Sequence, residues 1–341
     1  MTIDGAVDRR RLDELLTMAS KRGSEPDQPF GLHLGLAIRH QGALVEERYG
    51  PTATADSSLI SWSMAKSVTH AMVGLLVGDG LLDLETPAPV PEWASDDRSS
   101  ITLQHLLSMT SGLEFVEDYE DDNVSHVIEM LFGSGQADVA GYAAGFPLVH
   151  EPGTVFNYSS GTTNIVSAIC GRAISANGLA ASTAAFLDER LFGPLEMSSA
   201  SIRCDDAGTF IGSSFVYATA RDFTRFGQLY LDGGKLPDGS SLLPNRWVDH
   251  ARTPVTTPID EGHWYGAHWW LWDDRYQPHA DGSTLELGDI NGFGAHGYEG
   301  QYTLVVPDRD LVIVRLGKTP VERQPEVRAW IVDIARCFPA T

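Results

Sequence analysis

The chain has 341 residues, of which 43% are hydrophobic and 21% charged, so its composition is that of a folded globular protein and excludes global disorder. Asp and Glu number 46 against 24 Lys and Arg, which gives a net charge of −22. Such an acidic surface repels phosphate backbones, and no stretch approaches the roughly 20 apolar residues that span a bilayer, so neither nucleic acid nor a membrane is an expected partner.

The N-terminal residues contain no apolar run of the kind that a secretion signal needs. The three cysteines, Cys170, Cys204 and Cys337, are far apart and form no C-x-x-C pair, which is typical of buried thiols in a reducing compartment. We therefore expect a cytoplasmic location. The oligomeric state, including a homodimer, is left open.

Both ends of the chain carry predicted strands and helices. Residues 8–21 place Leu and Met at helical spacing among charged residues, which predicts an amphipathic helix. Two β-type runs, at residues 31–40 and 43–50, flank Gln41-Gly42, a pattern typical of a hairpin. Two more strands and a closing helix are predicted near the C-terminus, at residues 301–307, 310–317 and 326–338. We expect the two termini to complete one antiparallel sheet.

The middle of the chain is different, because it is mainly helical with Gly, Ser and Thr connections. Thr102 is predicted to cap a helix that Gly112 ends, and Thr219 with Asp222 is predicted to open another. The predicted fold class is α/β (α+β), with an antiparallel sheet flanked by terminal helices and an inserted helical domain. We place the sheet domain at residues 1–62 and 227–341, the helical domain at residues 63–226, and the active site at their interface.

The pattern Ser63-x-x-Lys66 stands where a helix begins. Apolar residues follow helical spacing from Ala65 onward, and Gly78 and Gly80 end the run. Residues three apart lie on one helix face, so the Lys66 amine can reach the Ser63 hydroxyl. A desolvated lysine, with its pKa lowered from about 10.4 toward 7–8, can take the serine proton. The pattern alone is weak, because it occurs by chance about once in a chain of this length.

Tyr158 is the candidate partner for this pair. It lies in the segment FNYSSGTTN, directly before a predicted helix. A loop tyrosine beside a lysine can be held partly ionised and can relay protons to a leaving group. From the residues alone, a core tyrosine with a bonded hydroxyl is the alternative.

Three segments in this order, WSMAKSVTHAMVGLLVGDGLLDL, ITLQHLLSMTSGL and PGTVFNYSSGTTN, resemble the penicillin-recognising serine hydrolases. Within that group the chain is similar to class C β-lactamase-like esterases and to the 6-aminohexanoate-dimer hydrolases, over roughly residues 30–317. The resemblance implies a β-lactamase/transpeptidase-like fold and hydrolysis without a metal or cofactor. It makes Ser63 the acylated nucleophile, Lys66 its general base and Tyr158 the second acid/base.

The resemblance also assigns residues around this centre. Ser160 stands where the family has the Asn of its Tyr-x-Asn motif, and its hydroxyl can bond Lys66 or a substrate carbonyl. Aligning the family's third motif on Gly297 leaves Ala295 in the place of its first, often cationic, residue. The N–H groups of Ser63 and Tyr298 then form the oxyanion hole.

A one-residue slip of this alignment makes His296 the motif residue and moves the second donor to Glu299. A substrate contact and a structural role both stay open for His296. Tyr119 matches a substrate-contacting tyrosine of the 6-aminohexanoate-dimer hydrolases, with a mobile surface loop as the alternative. A predicted strand holds Trp269 and Trp270, and Trp270 is our candidate for a substrate contact, with core packing as the alternative.

Substrate class follows from these differences. Without a cation in the third motif, we expect simple carboxylic esters or linear amides, such as 6-aminohexanoate oligomers, as the small-molecule partner. The acidic residues at 114–122 either favour an amine-bearing substrate or serve solubility. A β-lactamase or D-alanyl-D-alanine carboxypeptidase is the alternative enzyme, although cell-wall substrates lie outside the cytoplasm. A non-catalytic binding protein on the same fold is the alternative from another class.

Overall fold

The structure is a computed structural model that describes residues 6–22, 25, 28–119, 124–255, 265–272 and 289–341. Its strands are β1 Leu32–His40, β2 Ala43–Tyr49, β3 Leu59–Ile60, β4 Ser201–Ile202, β5 Val216–Ala218, β6 Trp270–Trp272, β7 Gly292–Gly297, β8 Gln301–Val306 and β9 Leu311–Lys318. Its helices are α1 Arg9–Arg22, α2 Ala65–Gly78, α3 Leu103–Leu107, α4 His126–Phe132, α5 Val139–Ala144, α6 Ser160–Ala176, α7 Thr183–Leu187, α8 Ala220–Leu231, α9 Trp247–Arg252 and α10 Gln324–Arg336.

The main sheet is antiparallel and has the strand order β2-β1-β9-β8-β7-β6. Strand β1, from the start of the chain, pairs with β9, from near its end. The prediction that the two termini complete one sheet is therefore confirmed. The β1–β2 hairpin is also confirmed, because Gln41 and Gly42 have φ values of 52° and 73°, the left-handed pair that a tight hairpin turn requires.

Successive residues of β9 point to opposite faces of the sheet, and each face has its own cover. Leu311 and Ile313 share a core with α1 and α10, and the Trp330 indole of α10 donates to the Leu15 carbonyl of α1. Val312 and Val314 face the larger core, which includes α2, α6 and α8. The sheet is thus a middle layer between the terminal helices and the rest of the chain.

Helix α2 lies at the centre of the larger core. Its residues from Ala65 to Leu76 are all buried, and they include four polar residues, Lys66, Ser67, Thr69 and His70. Helix α6 packs against α2, and strand β3 of the short sheet β3-β5-β4 precedes α2 in the chain. The Ser63-x-x-Lys66 pattern therefore lies at the start of a helix that is buried over most of its length.

One proposed domain boundary falls within a helix, and one helix end differs from the sequence-based prediction. Residues 226 and 227, between which we placed the end of the helical domain, both lie inside α8, which Thr219 caps as predicted. Gly227 of α8 closely approaches Val312 in the sheet. Helix α3 ends at Leu107 and not near Gly112, since Met109 adopts a left-handed φ of 59° that no helix continues.

Two further observations concern membrane-spanning helices and the cysteines. Within the described ranges, no helix is long and apolar enough to cross a membrane. Cys170 and Cys337 are buried as expected, whereas Cys204 is exposed, and all three are free thiols.

The contact between α8 and the sheet can be tested by adding one methyl group. A Cβ at Gly227 would lie 2.5 Å from Val312 Cγ1, so we expect Gly227→Ala to destabilise the protein by about 1–3 kcal/mol through overpacking. Gly171→Ala, in α6, is the matched control. Its Cβ would meet only the Thr183 hydroxyl at 3.4 Å. Because Ala has a better helix propensity than Gly, Gly171→Ala should leave the free energy of unfolding unchanged or increase it by up to about 1 kcal/mol. Urea unfolding midpoints measure both, and equal effects would contradict the packing argument.

Candidate active site

The segment before α2 holds Ser63 in a strained turn. Trp62–Met64 forms a single 3-10 turn that leads directly into the helix, and Trp62 has a left-handed φ of 46°. A non-glycine residue in that region stores strain, which is common next to reactive groups. The first amides of a helix have no acceptor within it, so the Ser63 N–H is free to meet a ligand.

Lys66 follows one turn later, and its amine is enclosed by oxygen acceptors. Its Nζ lies 3.1 Å from Ser63 Oγ, 2.9 Å from Ser160 Oγ and 3.2 Å from the Ser213 carbonyl oxygen. The side chain is 1% exposed, and this burial lowers the pKa of Lys66 to about 8, while the charge of Glu117 acts in the opposite direction. A substantial fraction of the amine is therefore neutral in mildly basic solution and can accept the Ser63 proton.

Tyr158 lies beside the Ser63–Lys66 pair. Its ring packs on Trp270 at 5.3 Å between centroids. Burial and the charge of Glu117 raise its pKa above the ordinary tyrosine value. Lys66 lies over the ring face, 4.8 Å from the centroid, and not at the hydroxyl. The raised pKa favours the protonated phenol over the part-ionised tyrosine that the sequence suggested.

Ser160 connects Lys66 to a carboxylate that the sequence analysis did not single out. Glu117 accepts from the Ser160 hydroxyl at 2.6 Å and from the Ser160 backbone N–H at 2.7 Å. It also accepts from the Tyr119 hydroxyl at 2.7 Å. The acidic run at 114–122 was the only signal for this residue, and residues 120–122 of that run lie outside the described part of the chain. Glu117 is thus the anionic end of a series of hydrogen bonds that runs from Lys66 through Ser160.

The end of β7 lies against the segment that precedes Ser63. A Cβ on Gly297 would be 2.2 Å from the Ser61 carbonyl oxygen, so only glycine permits this approach. Tyr298 follows as the first residue of a 3-10 turn, and its amide therefore has no acceptor within that turn. Its ring is 42% exposed, stacks on Tyr119 at 5.1 Å and meets Trp62 edge-on at 5.8 Å.

His296 and Trp270 form a stacked pair on the sheet side of Tyr158. Their rings lie 5.4 Å apart and are tilted by only 8°. His296 Nε2 also accepts from the Trp272 indole at 2.6 Å, so one of its two ring nitrogens is already engaged. Trp269 faces the opposite way and is fully buried between Phe226 and Tyr230. Of the two tryptophans, Trp270 is therefore the one beside the candidate centre.

A second histidine, His268, contacts the backbone of helix α2. His268 Nδ1 lies 3.0 Å from the Lys66 carbonyl oxygen, and its Nε2 lies 3.3 Å from the Thr163 hydroxyl. Burial lowers the pKa of His268 to about 3, so it is neutral and donates from Nδ1. No sequence motif distinguishes His268 from the other histidines of the chain. It contacts the backbone of α2 and not the reactive side chains.

Among the described residues, no group of three or more His, Cys, Asp or Glu side chains is arranged to hold a metal ion. The glycines Gly292, Gly294 and Gly297, which spell G-x-G-x-x-G, lie within β7 and do not precede a helix that could hold a pyrophosphate.

Comparison with known proteins agrees with this arrangement. The Beta-lactamase family matches residues 32–336. A 6-aminohexanoate-dimer hydrolase of Paenarthrobacter ureafaciens is 28% identical over 332 residues, which cover 89% of this chain and 78% of that protein. A Bacillus anthracis structure that bears the same enzyme name has a TM-score of 0.73 at 22% identity, over 98% of this chain and 86% of its own. The structure of a family VIII carboxylesterase has a TM-score of 0.70 at 14% identity, over 99% of this chain and all of its own (100%).

These similarities and the described geometry define a class. An antiparallel sheet with terminal helices, an inserted helical region and a serine–lysine pair at the head of a buried helix make up the β-lactamase/transpeptidase-like fold. Since the family match covers most of its length, the chain belongs to the Beta-lactamase family of serine hydrolases. The resemblance seen in the three sequence segments is thereby confirmed.

The lowered pKa of Lys66 predicts how the reactivity of Ser63 depends on pH. Below a pKa of about 8 the neutral amine increases about tenfold with each pH unit, so the rate of Ser63 labelling by a fluorophosphonate should rise likewise and level off above pH 8. Lys66→Arg should label slowly across the range, because a guanidinium stays protonated. A wild-type rate independent of pH between 6 and 9 would contradict a proton-accepting role for Lys66.

Glu117 predicts a shift of the same pH profile. Its charge raises the pKa of Lys66, so Glu117→Gln should lower that pKa and move the rise in labelling rate to lower pH. Glu114→Gln is the matched control, because Glu114 belongs to the same acidic run but is exposed. It should leave the profile in place. A shift to higher pH in Glu117→Gln would show that the lost hydrogen bonds to Ser160 outweigh the lost charge.

Proposed function

We propose that this chain is a serine hydrolase that forms an acyl-enzyme on Ser63 and hydrolyses carboxylic esters or linear amides. The observation that carries the proposal is the 3.1 Å contact between Ser63 Oγ and a buried Lys66 amine whose pKa lies near 8. An amine of that basicity, held at hydrogen-bond distance, is a general base matched to a serine nucleophile. No metal or cofactor takes part in the proposed reaction.

Acylation begins when neutral Lys66 accepts the Ser63 proton as Oγ attacks the substrate carbonyl carbon. The new C–O bond leaves a negative charge on the former carbonyl oxygen. The N–H groups of Ser63 and Tyr298 donate to that oxygen, a proposal supported by the approach of Gly297 to the Ser61 carbonyl oxygen. Losing one such donor typically costs about 10²–10³-fold in kcat.

Tyr158 completes the reaction in this proposal. Its hydroxyl, kept protonated by the raised pKa, donates to the departing alkoxide or amine and regains a proton that originates on the Lys66 ammonium. A water molecule then attacks the acyl-Ser63 carbonyl and gives up a proton to the same groups. The second tetrahedral intermediate expels Ser63 Oγ, which is reprotonated, so the net reaction is ester or amide plus water to acid plus alcohol or amine.

Substrate preference is proposed from the third motif and from Glu117. Ala295 stands where a cation would hold the carboxylate of a β-lactam or D-alanyl peptide, and it is a buried residue of β7. Glu117 already accepts three hydrogen bonds from Ser160 and Tyr119, so we assign it to the support of Lys66 and Ser160 and not to a substrate amine. The similarity to a 6-aminohexanoate-dimer hydrolase supports linear amides beside simple esters.

The decisive experiment treats the protein with a fluorophosphonate and maps the adduct, in parallel with a panel of p-nitrophenyl esters, linear aminoacyl amides and cephalosporins. We expect one adduct on Ser63, ester or amide turnover, and little cephalosporin turnover. Ser63→Ala should lose turnover on the order of 10⁶-fold while its circular dichroism and unfolding midpoint are retained.

Other outcomes lead to other functions. Cephalosporin turnover exceeding that of every ester and amide would replace the proposal by a β-lactamase. No adduct on a folded protein would favour a binding protein on the same fold. An adduct on a residue other than Ser63 would mean that the centre is misplaced.

A further inference from the structure

The turn that carries Tyr298 has an unusual backbone. Glu299 has a φ of 60° and Gly300 a φ of 78°, so two consecutive residues adopt the left-handed conformation directly after Tyr298. Glycine adopts it freely, but for glutamate it is strained and persists only where the surroundings fix it. The turn therefore depends on partners outside itself.

Those partners bind each of its three carbonyl oxygens. The Gln301 side-chain amide donates to the Tyr298 carbonyl oxygen at 2.9 Å. The Arg315 guanidinium donates through Nη1 to the carbonyl oxygens of Glu299 at 3.2 Å and Gly300 at 2.7 Å. The Thr319 backbone N–H adds a second bond to the Glu299 carbonyl oxygen at 2.9 Å.

Arg315 is itself held in place by neutral groups. It lies on β9, is 1% exposed, and donates through Nη2 to the Phe30 carbonyl oxygen and the Thr319 hydroxyl, at 3.0 and 2.7 Å. In the described ranges no carboxylate forms an ion pair with it. A Cβ on Gly317 would lie 2.4 Å from the guanidinium and one on Gly300 2.8 Å from it, so two glycines make room for the side chain.

A buried arginine without a carboxylate partner is costly to stability, and an apolar side chain would fill the same space at lower cost. What the guanidinium supplies is a rigid planar set of donors that fixes several acceptors at once. Here the fixed acceptors are the carbonyl oxygens of the two residues that follow Tyr298. Because peptide units are planar and trans, fixing these oxygens fixes the peptide planes that lead out of Tyr298, while Gly297 is held on the other side of Tyr298 by its close approach to Ser61.

We propose that Arg315 is a positioning residue for the oxyanion hole: by binding the Glu299 and Gly300 carbonyl oxygens, it fixes the strained turn that follows Tyr298 and so keeps Tyr298, with its amide, at the site where the substrate oxygen becomes negative. This inference rests on the proposed function, because it needs a reaction that develops an oxyanion beside Ser63. Arg315 touches neither the substrate nor the reacting side chains. Its effect should therefore fall on the transition state and not on substrate binding.

The test compares Arg315→Met and Arg315→Lys with Arg309→Met. Arg309 is the matched control, because it is also a buried arginine, donates to the Phe338 carbonyl oxygen, and sits at the opposite end of the β8–β9 hairpin. Arg315→Lys keeps a charge but can reach fewer acceptors, and it serves if the Met variant does not fold. Each variant is characterised by its unfolding midpoint, by kcat and KM for the best ester of the panel, and by its affinity for a boronic acid that forms a tetrahedral anion on serine.

We expect Arg315→Met to lose about 100-fold in kcat with KM changed less than twofold, as for a misplacement of about 1 Å. Boronate affinity should fall in parallel, and Arg315→Lys should lie between wild type and the Met variant. Arg309→Met should lower the unfolding midpoint and leave kcat and boronate affinity within twofold of wild type. Equal kinetic effects of the two Met variants, or losses confined to stability, would overturn the inference alone. A wild-type protein without turnover or adduct would overturn the proposed function and this inference with it.

Discussion

Burial of the Lys66 amine is the interaction on which the rest of the site depends. An enclosed ammonium is unfavourable unless every donor finds an acceptor, and here the three acceptors come from three parts of the chain: Ser63 before α2, Ser160 at the start of α6, and the Ser213 carbonyl before β5. The balance between burial and the charge of Glu117 leaves its pKa at about 8. Helices α2 and α6 must therefore meet closely for the centre to exist, and the apolar core around them enforces that meeting.

Two buried basic side chains, Lys66 and Arg315, have different roles in the proposed site. Both Lys66 and Arg315 are satisfied by neutral oxygens and not by an ion pair, but the two side chains respond differently to the same environment. Burial lowers the pKa of Lys66 into a range where it exchanges protons, whereas Arg315, with its pKa lowered to about 10, stays charged in neutral solution. A side chain that can lose its proton lies next to the nucleophile, and one that keeps it fixes the backbone.

Most of the fold, and the serine–lysine pair, could be predicted because they are encoded locally. The capping threonines, the Gln41-Gly42 turn and the Ser63-x-x-Lys66 spacing each act within a few residues. Glu117 and Arg315 could not be predicted. Glu117 lies in a loop, and the path of that loop determines which carboxylate of the acidic run reaches Ser160. In the sequence, Arg315 is a charged residue within a largely apolar strand. Its contact with the turn at residues 298–300 depends on the register between β8 and β9, which only tertiary pairing sets.

The strand order also determines when during synthesis the protein acquires its reactive centre. Strand β7, which carries the turn with Tyr298, is connected to the first strand, β1, only through β8 and β9, which follow helices α1 to α9 in the chain. A nascent chain can assemble its helical core early. Strand β1 can pair with β2 at once, but its other partner, β9, lies more than 270 positions further along the chain. Until then, the exposed edge of the β1–β2 hairpin is an attachment site for other unfinished chains. For this topology, aggregation is most favoured between the synthesis of the β1–β2 hairpin and the pairing of β1 with β9.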